Sequence, residues 1–259
     1  MDRIDSVSND RIKLAVKVAT SSKHRRQTGL FFLEGLRLCR DAALTEYEIE
    51  CAFVTENALS KSADEIEDIL TRSSRSFIIS SAVAEKITQA QTPQGVFCLC
   101  KKREINHEFD FSGKYIALEN IQDPSNFGAI CRTAEALGIK GAITYGCCDI
   151  YNPKTQRAAM GSALRLPVIE ADSLKDMLIA LEEKGMKLYA TTPRSDADKI
   201  TEASFEGGAV AVIGNEGKGV SDEIFSLCRK ITIPMVGRAE SLNASMAAAI
   251  TMWEMMRNG

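Results

Sequence analysis

Two hydropathy rhythms run along this chain, short buried-type runs and longer stripes with helical spacing. Over the first hundred residues the spacing predicts a helix at 9–19, with Ile12, Val16 and Ala19 on one face and Asn9 or Asp10 as its cap. A polar, basic stretch, SSKHRRQTG, separates it from a short strand in LFFLEG. Helices at 36–44 and 58–70 and strands at 49–55, 77–80 and 96–100 follow. The segment KKREINHEFDFSGK then turns polar and loses periodicity. It predicts a linker at 101–112 between a domain of residues 1–100 and a second of residues 113–259.

In the second domain, strands are predicted at 114–119, 141–145, 187–191, 209–214 and 230–234. Helices are predicted at 127–137, near 152–161, and at 173–184, 223–227 and 243–257. Strands separated by helices imply an α/β fold with a mainly parallel sheet covered on both faces. In such sheets ligands sit beyond the carboxyl ends of the strands.

Composition narrows the picture modestly. An apolar fraction of 45% and a charged fraction of 26% are ordinary for a globular protein of 259 residues. The net charge of −3 excludes a polycation, so any nucleic-acid surface must be gathered locally. Eight cysteines include Cys98 and Cys100 within an apolar run and the adjacent Cys147 and Cys148. His24 and His107 lie far from any cysteine pair, so small buried hydrophobes are expected rather than a metal site. The amino terminus, MDRIDSVSNDRIK, carries no apolar signal region, and no apolar run is long enough to span a membrane. Reduced thiols and a cytoplasmic location are the expectation.

Three segments place turn-forming or polar residues directly after a predicted strand. In ALENIQDPSNFGAICRTAEALG, Asp123-Pro124 makes a turn, Ser125 or Asn126 is the expected helix cap, and Arg132 sits in the second helical turn. In AVAVIGNEGKGVS a buried-type strand enters a glycine loop carrying Glu216 and Lys218. It is not a Walker A loop, because Val220-Ser221 follows Gly219, and a dinucleotide loop fails at Asp222. In ITIPMVGRAESLNASMAAAITMWEM the strand stops at Pro234, and Asn243 caps an alanine-rich helix.

In order, these segments read N-x-x-D-P-x-N-x-G-x-x-x-R, then G-x-E-x-x-G, then I-P-M followed by S-L-N-x-S. The set resembles the SpoU/TrmH branch of the SPOUT methyltransferases, the α/β-knot RNA 2′-O-methyltransferases. NPKTQRAAMGSALRLPV is similar to the stretch between that family's first two motifs. KHRRQTGLFFLEGLRLCRDAAL is similar to the ribosomal-protein-like α/β substrate-binding domain often attached to such enzymes. The resemblance implies a deep trefoil knot in the carboxyl-terminal sheet, which ordinary topology rules would not predict. It further implies S-adenosylmethionine as cofactor, RNA as substrate and a homodimer paired through the knotted domain. Ribosomal RNA is favoured over transfer RNA. The alternatives are a tRNA ribose methyltransferase and a knotted RNA-binding homologue without catalysis.

Carried over by motif, Gly214, Ile233 and Leu242 would contact the cofactor, with Thr191 beside them. Asn126, Arg132, Glu216, Ser241 and Asn243 occupy the family's active-site positions. A guanidinium grips phosphate with a planar fork, which suits Arg132 to holding the target nucleotide. The family also proposes this arginine as general base, a demanding role because free arginine keeps its proton at physiological pH. In the first domain, a basic cluster that includes Lys23, Arg25 and Arg26 is the expected RNA surface.

Overall fold

The computed structural model describes residues 1–103, 108–194 and 196–257. Part of the predicted linker, residues 104–107 with His107, lies outside the described residues. Contacts divide the chain into two units. The first is Met1–Glu104 with Asp149–Leu164, and the second is Ile105–Cys148 with Arg165–Gly259.

The first unit carries strands β1 (Asp2–Ile4), β2 (Leu30–Glu34), β3 (Ile49–Thr55), β4 (Ser76–Ile79) and β5 (Val96–Lys101). They form one sheet in the order β1-β4-β3-β5-β2, with β5 antiparallel to both of its neighbours. Every residue of β2 is buried, because successive side chains point to opposite faces and both faces are covered. Phe32 joins Ile12, Val18, Phe53 and Phe77 on one face. Phe31 and Leu33 join Ile49, Val54 and Ile66 on the other.

Local structure departs from the hydropathy pattern at identifiable points. The helix predicted at 58–70 is two helices, Glu56–Lys61 and Ala63–Arg72. Thr55 caps the first, and Ser62, at φ −144°, breaks the path while the apolar stripe continues across it. The basic stretch SSKHRRQTG, to which the hydropathy pattern assigns no element, holds a helix, Ser22–Thr28, capped by Ser21 and ended by Gly29 at φ 66°. Strand β1 and the helix Ser81–Ile87 were not predicted, being too short to show a period. Residues Asp149–Leu164, which the hydropathy pattern assigns to the second domain, group with the first unit. There the Tyr151 ring lies 4.6 Å from that of Phe31, and Leu164 completes the core around Leu33.

The second unit carries β6 (Lys114–Glu119), β7 (Gly141–Tyr145), β8 (Val168–Glu170), β9 (Lys187–Thr191), β10 (Asp198–Lys199), β11 (Ala209–Ile213) and β12 (Arg229–Thr232). Their order is β10-β12-β9-β11-β6-β7-β8, and every pairing is parallel. Tyr115, Ile143, Leu178 and Val210 share the core on one face. The helices Pro124–Leu137 and Ala244–Met256 pack against each other, the second also touching β6 and β11. Because β12, β9, β11 and β6 are neighbours and parallel, their carboxyl ends open along one edge. All three motif-bearing segments begin there.

The cysteines are free thiols, and burial pushes Cys131 and Cys228 up to about 12. Among the described residues no helix is long and apolar enough to cross a membrane. Nor do three or more His, Cys, Asp or Glu side chains gather in a possible metal site among them.

Candidate active site

Strand β11 ends at Ile213, and the chain then folds back on itself. A Cβ at Gly214 would overlap the backbone of Gly219 and Val220, so only glycine permits this crossing. Asn215 and Gly219 exchange backbone hydrogen bonds of 3.1 and 2.9 Å, and Gly219 takes φ 72°. The Asn215 side chain fixes the loop further. Its Oδ1 accepts from the amides of Gly217 and Lys218, each at 3.0 Å, and its Nδ2 donates to the Asn120 carbonyl at 2.8 Å. Asn120 itself adopts φ 57°, a left-handed conformation that asparagine tolerates. At the far end of the loop, the buried Glu119 carboxylate accepts from the Ser221 amide at 2.8 Å. Asn215 and Glu119 were not among the candidates from sequence. The first could have been found, since an asparagine two residues before a glycine is a natural Asx turn.

This loop brings Glu216 to the start of the Pro124–Leu137 helix. Here the expectation of a Ser125 or Asn126 cap is corrected: Asp123 caps the helix, accepting from the Ser125 amide at 2.7 Å, and Pro124 occupies the first turn. Asn126 therefore lies inside that turn with its side chain free of capping. Its Nδ2 donates to Glu216 Oε1 at 3.1 Å, and its Oδ1 accepts from Asn243 Nδ2 at 3.1 Å. Asn243 in turn caps the last helix, its Oδ1 accepting from the Ser245 amide at 2.9 Å and hydroxyl at 2.6 Å. A directional relay results, Ser245 to Asn243 to Asn126 to Glu216. It brings together one expected active-site residue from each of the three segments.

The carboxylate end of the relay is held as an anion. Burial alone would raise the Glu216 pKa, but hydrogen bonds from Asn126 and from backbone amides including those of Asp123 and Gln122 outweigh it and lower it. The Asp123 and Gln122 amides lie 3.3 and 3.4 Å from its oxygens. Because the carboxylate only accepts, it dictates which way the Asn126 amide points, and Asn126 dictates Asn243.

Beside the relay lies a cavity of about 480 Å³, lined by Thr191, Gly214, Ile233 and Leu242 and also by Glu216 and Ser241. All four candidate cofactor residues thus face one space, between the ends of β9, β11 and β12. Its volume is in the range of small-molecule sites. Apolar walls from Ile213, Val220 and Leu242 suit an adenine ring, and a backbone without side chain at Gly214 allows close approach to hydrogen-bonding groups. These features fit S-adenosylmethionine. The Thr191 hydroxyl is already engaged, donating to the Val212 carbonyl at 3.1 Å.

Arg132 is exposed on the same helix as Asn126, and its side chain makes no hydrogen bond or ion pair among the described residues. The structure does not join it to the relay. In the first unit, Lys23 and Arg26 are exposed. Arg25 corrects the expected RNA surface, because it is only 3% exposed. Its Nε pairs with Asp149 at 2.6 Å, and its Nη1 donates to the carbonyls of Val18 and Ala19 at 2.8 and 3.3 Å. A guanidinium so enclosed holds the unit together and is unavailable to phosphate.

Residues 113–253 match the model of the SpoU rRNA methylase family, and residues 9–98 match that of the MRM3-like substrate binding domain. The chain is 29% identical to the 23S rRNA (guanosine(2553)-2′-O)-methyltransferase RlmP of Bacillus subtilis, over 98% of this chain and 99% of that one. It is 34% identical to a 23S rRNA (uridine(2479)-2′-O)-methyltransferase of Streptomyces viridochromogenes, over 57% of this chain and 53% of that one. The crystal structure of an S-adenosylmethionine-bound rRNA methyltransferase from Sinorhizobium meliloti superposes with a TM-score of 0.88 at 26% identity, covering 99% and 98% of the two chains. With the family model covering more than half its length, the chain belongs to the SpoU rRNA methylase family of S-adenosylmethionine-dependent RNA methyltransferases.

Proposed function

We propose that this protein transfers a methyl group to a ribose 2′ hydroxyl of ribosomal RNA, with residues 113–259 as the catalytic domain and residues 1–100 as the RNA-binding domain, joined by a linker at 101–112. The observation that carries this reading is the Asn243–Asn126–Glu216 relay at the edge of the cofactor-sized cavity. The relatives named as 23S rRNA ribose methyltransferases support ribosomal over transfer RNA.

The cofactor supplies an electrophilic methyl group, and Gly214, Ile233, Leu242 and Thr191 would hold it, the first three largely through backbone groups. The 2′ hydroxyl is a weak nucleophile, so it must be aligned and lose its proton as the methyl arrives. Asn126 and Asn243, with amides preset by Glu216, orient the ribose. Ser241, at the cavity rim and without a hydrogen bond among the described residues, is placed to meet the hydroxyl or the adjoining phosphate. Arg132 grips the phosphate and polarises the hydroxyl, with that phosphate assisting the proton's departure. Near-normal transfer by both Arg132→Lys and Arg132→Ala would remove the arginine from this scheme.

Three further features belong to this proposal. The strand order β12-β9-β11-β6 supports the deep trefoil knot. The last helix exposes Met246, Ile250 and Trp253, spaced to share one face, and such an apolar stripe supports a homodimer through the catalytic domain. The free thiols support action in the cytoplasm. Lys23 and Arg26 remain RNA contacts, without Arg25. Mass spectrometry of rRNA and tRNA nucleosides from a deletion strain and its parent tests the activity: one 2′-O-methyl nucleoside should vanish from rRNA. Its loss from tRNA instead would move the substrate to transfer RNA.

A further inference from the structure

The first unit contains a cavity of about 500 Å³ whose lining includes Arg11, Leu14, Cys51, Arg75 and Leu99. It opens where β3 and β2 begin and β5 ends, beyond the first turn of the Asp10–Thr20 helix. Four cations line it, Arg11, Arg75, Lys101 and Lys102, against one carboxylate, Glu50. Such an excess stands out in a chain of net charge −3.

The four cations differ in what already neutralises them. Lys101 is paired with Glu48 at 2.6 Å and with Glu50 at 3.5 Å. The Lys102 ammonium lies over the Tyr151 ring at 4.8 Å. Arg11 and Arg75 form no ion pair among the described residues. The Arg11 guanidinium is stacked over the Phe77 ring, 5.1 Å from its centroid, which holds its plane in place. Both guanidiniums act on the Cys51 thiol on the cavity floor. Burial and Glu50 push that thiol up, while Arg11 and Arg75 pull it down. Two guanidiniums without an ion pair among the described residues thus line the cavity together with the partly buried Leu14, above a floor of the buried Cys51 and Leu99.

We infer that this cavity binds an unpaired nucleotide of the RNA substrate, its phosphate held by Arg11 and Arg75 and its base against Leu14. Guanidiniums grip phosphate with paired donors, and single-stranded bases are recognised by stacking on arginine planes and apolar surface. The arrangement offers both at nucleotide scale. An acidic peptide would match the charge but leave Leu14 unused. The pocket is distinct from the surface of Lys23 and Arg26, and from the methyl-transfer cavity in the second unit. The inference rests on the RNA methyltransferase reading for the class of its ligand.

The test uses the full-length protein and a single-stranded RNA oligonucleotide containing 4-thiouridine. Arg11→Gln with Arg75→Gln removes both cations from the one bound phosphate, so the slope of log affinity against log salt should flatten by about 0.7. The KM for rRNA from a strain lacking the enzyme should rise roughly tenfold with kcat kept, as expected of lost uniform binding. Calorimetry should give an unchanged cofactor affinity, which reports an intact second unit. Arg75→Gln alone, at an exposed position, should show about half the slope change. Irradiation of the wild-type complex should cross-link the thiouridine to the peptide bearing Leu14. Wild-type salt slope and KM in the variants, or cross-links confined elsewhere, would overturn the pocket alone. A wild-type protein that neither binds RNA nor methylates it would overturn the RNA methyltransferase reading as well.

Discussion

Asn243 donates to Asn126 across 117 positions of sequence, Nδ2 to Oδ1 at 3.1 Å, and thereby ties the cap of the last helix to the first turn of the helix after β6. The bond has a direction only because Glu216 holds the other end of the Asn126 amide.

Replacing Asn126 with Asp should be at least as harmful as replacing it with Ala. The new carboxylate would face Glu216 at hydrogen-bond distance without a proton to share. Methyl transfer in single turnovers should fall roughly hundredfold, as expected when an orienting group is lost. Calorimetric affinity for the cofactor should stay near wild type. Wild-type rates in both variants would show the relay to be dispensable.

Glu216 should behave as a permanent anion over the working pH range. Its folded pKa is lowered, so its contribution to stability is fully present above the unfolded value of about 4.3 and is lost as pH falls through the lower folded value. A plot of kcat against pH between 5 and 8 should show no inflection that disappears in Glu216→Gln. An inflection of that kind would recast Glu216 as a base.

Gly214→Ala should abolish cofactor binding, because its methyl group has no space against the Gly219 and Val220 backbone. Calorimetry should read no heat of binding, while circular dichroism retains the wild-type secondary structure. Unaltered affinity would mean that the loop crosses differently in solution.

Asp149→Asn should destabilise the first unit by about 3 kcal/mol, the scale of an uncompensated buried charge. Arg25 is too enclosed to regain water once its partner is gone. Denaturant titration with a probe in that unit measures the loss. A change below about 0.5 kcal/mol would indicate that the carbonyls of Val18 and Ala19 suffice.

Trp253→Glu should convert the proposed homodimer to monomer, since Met246, Ile250 and Trp253 form a stripe left exposed among the described residues. Sedimentation velocity distinguishes the two masses. A wild-type protein that sediments as a monomer would remove the dimer from the proposal.

The alternation of buried runs and helical stripes was enough to predict the α/β class, and most strands of the second unit fall within a residue or two of the hydropathy pattern. Short-range side-chain chemistry also carried the Asn243 cap, because capping is a contact over two residues. The ordered motifs pointed to the family, since their residue types and spacings are local properties of the chain.

Non-local pairing was invisible to the same reasoning. Neither the placement of β11 between β9 and β6 nor the three-residue β1 follows from any period, because sheet order depends on which strands bury their faces together. Arg25 shows the limit most plainly. In sequence it is one cation in a basic run. Its partner Asp149 lies 124 residues away, and only the packing of the folded unit excludes water from both. Asn126 shows the reverse case, a residue that looks like a helix cap until Asp123 takes that role and leaves its amide to Glu216 and Asn243. Burial and partner choice are set by the three-dimensional arrangement, and no local pattern encodes them.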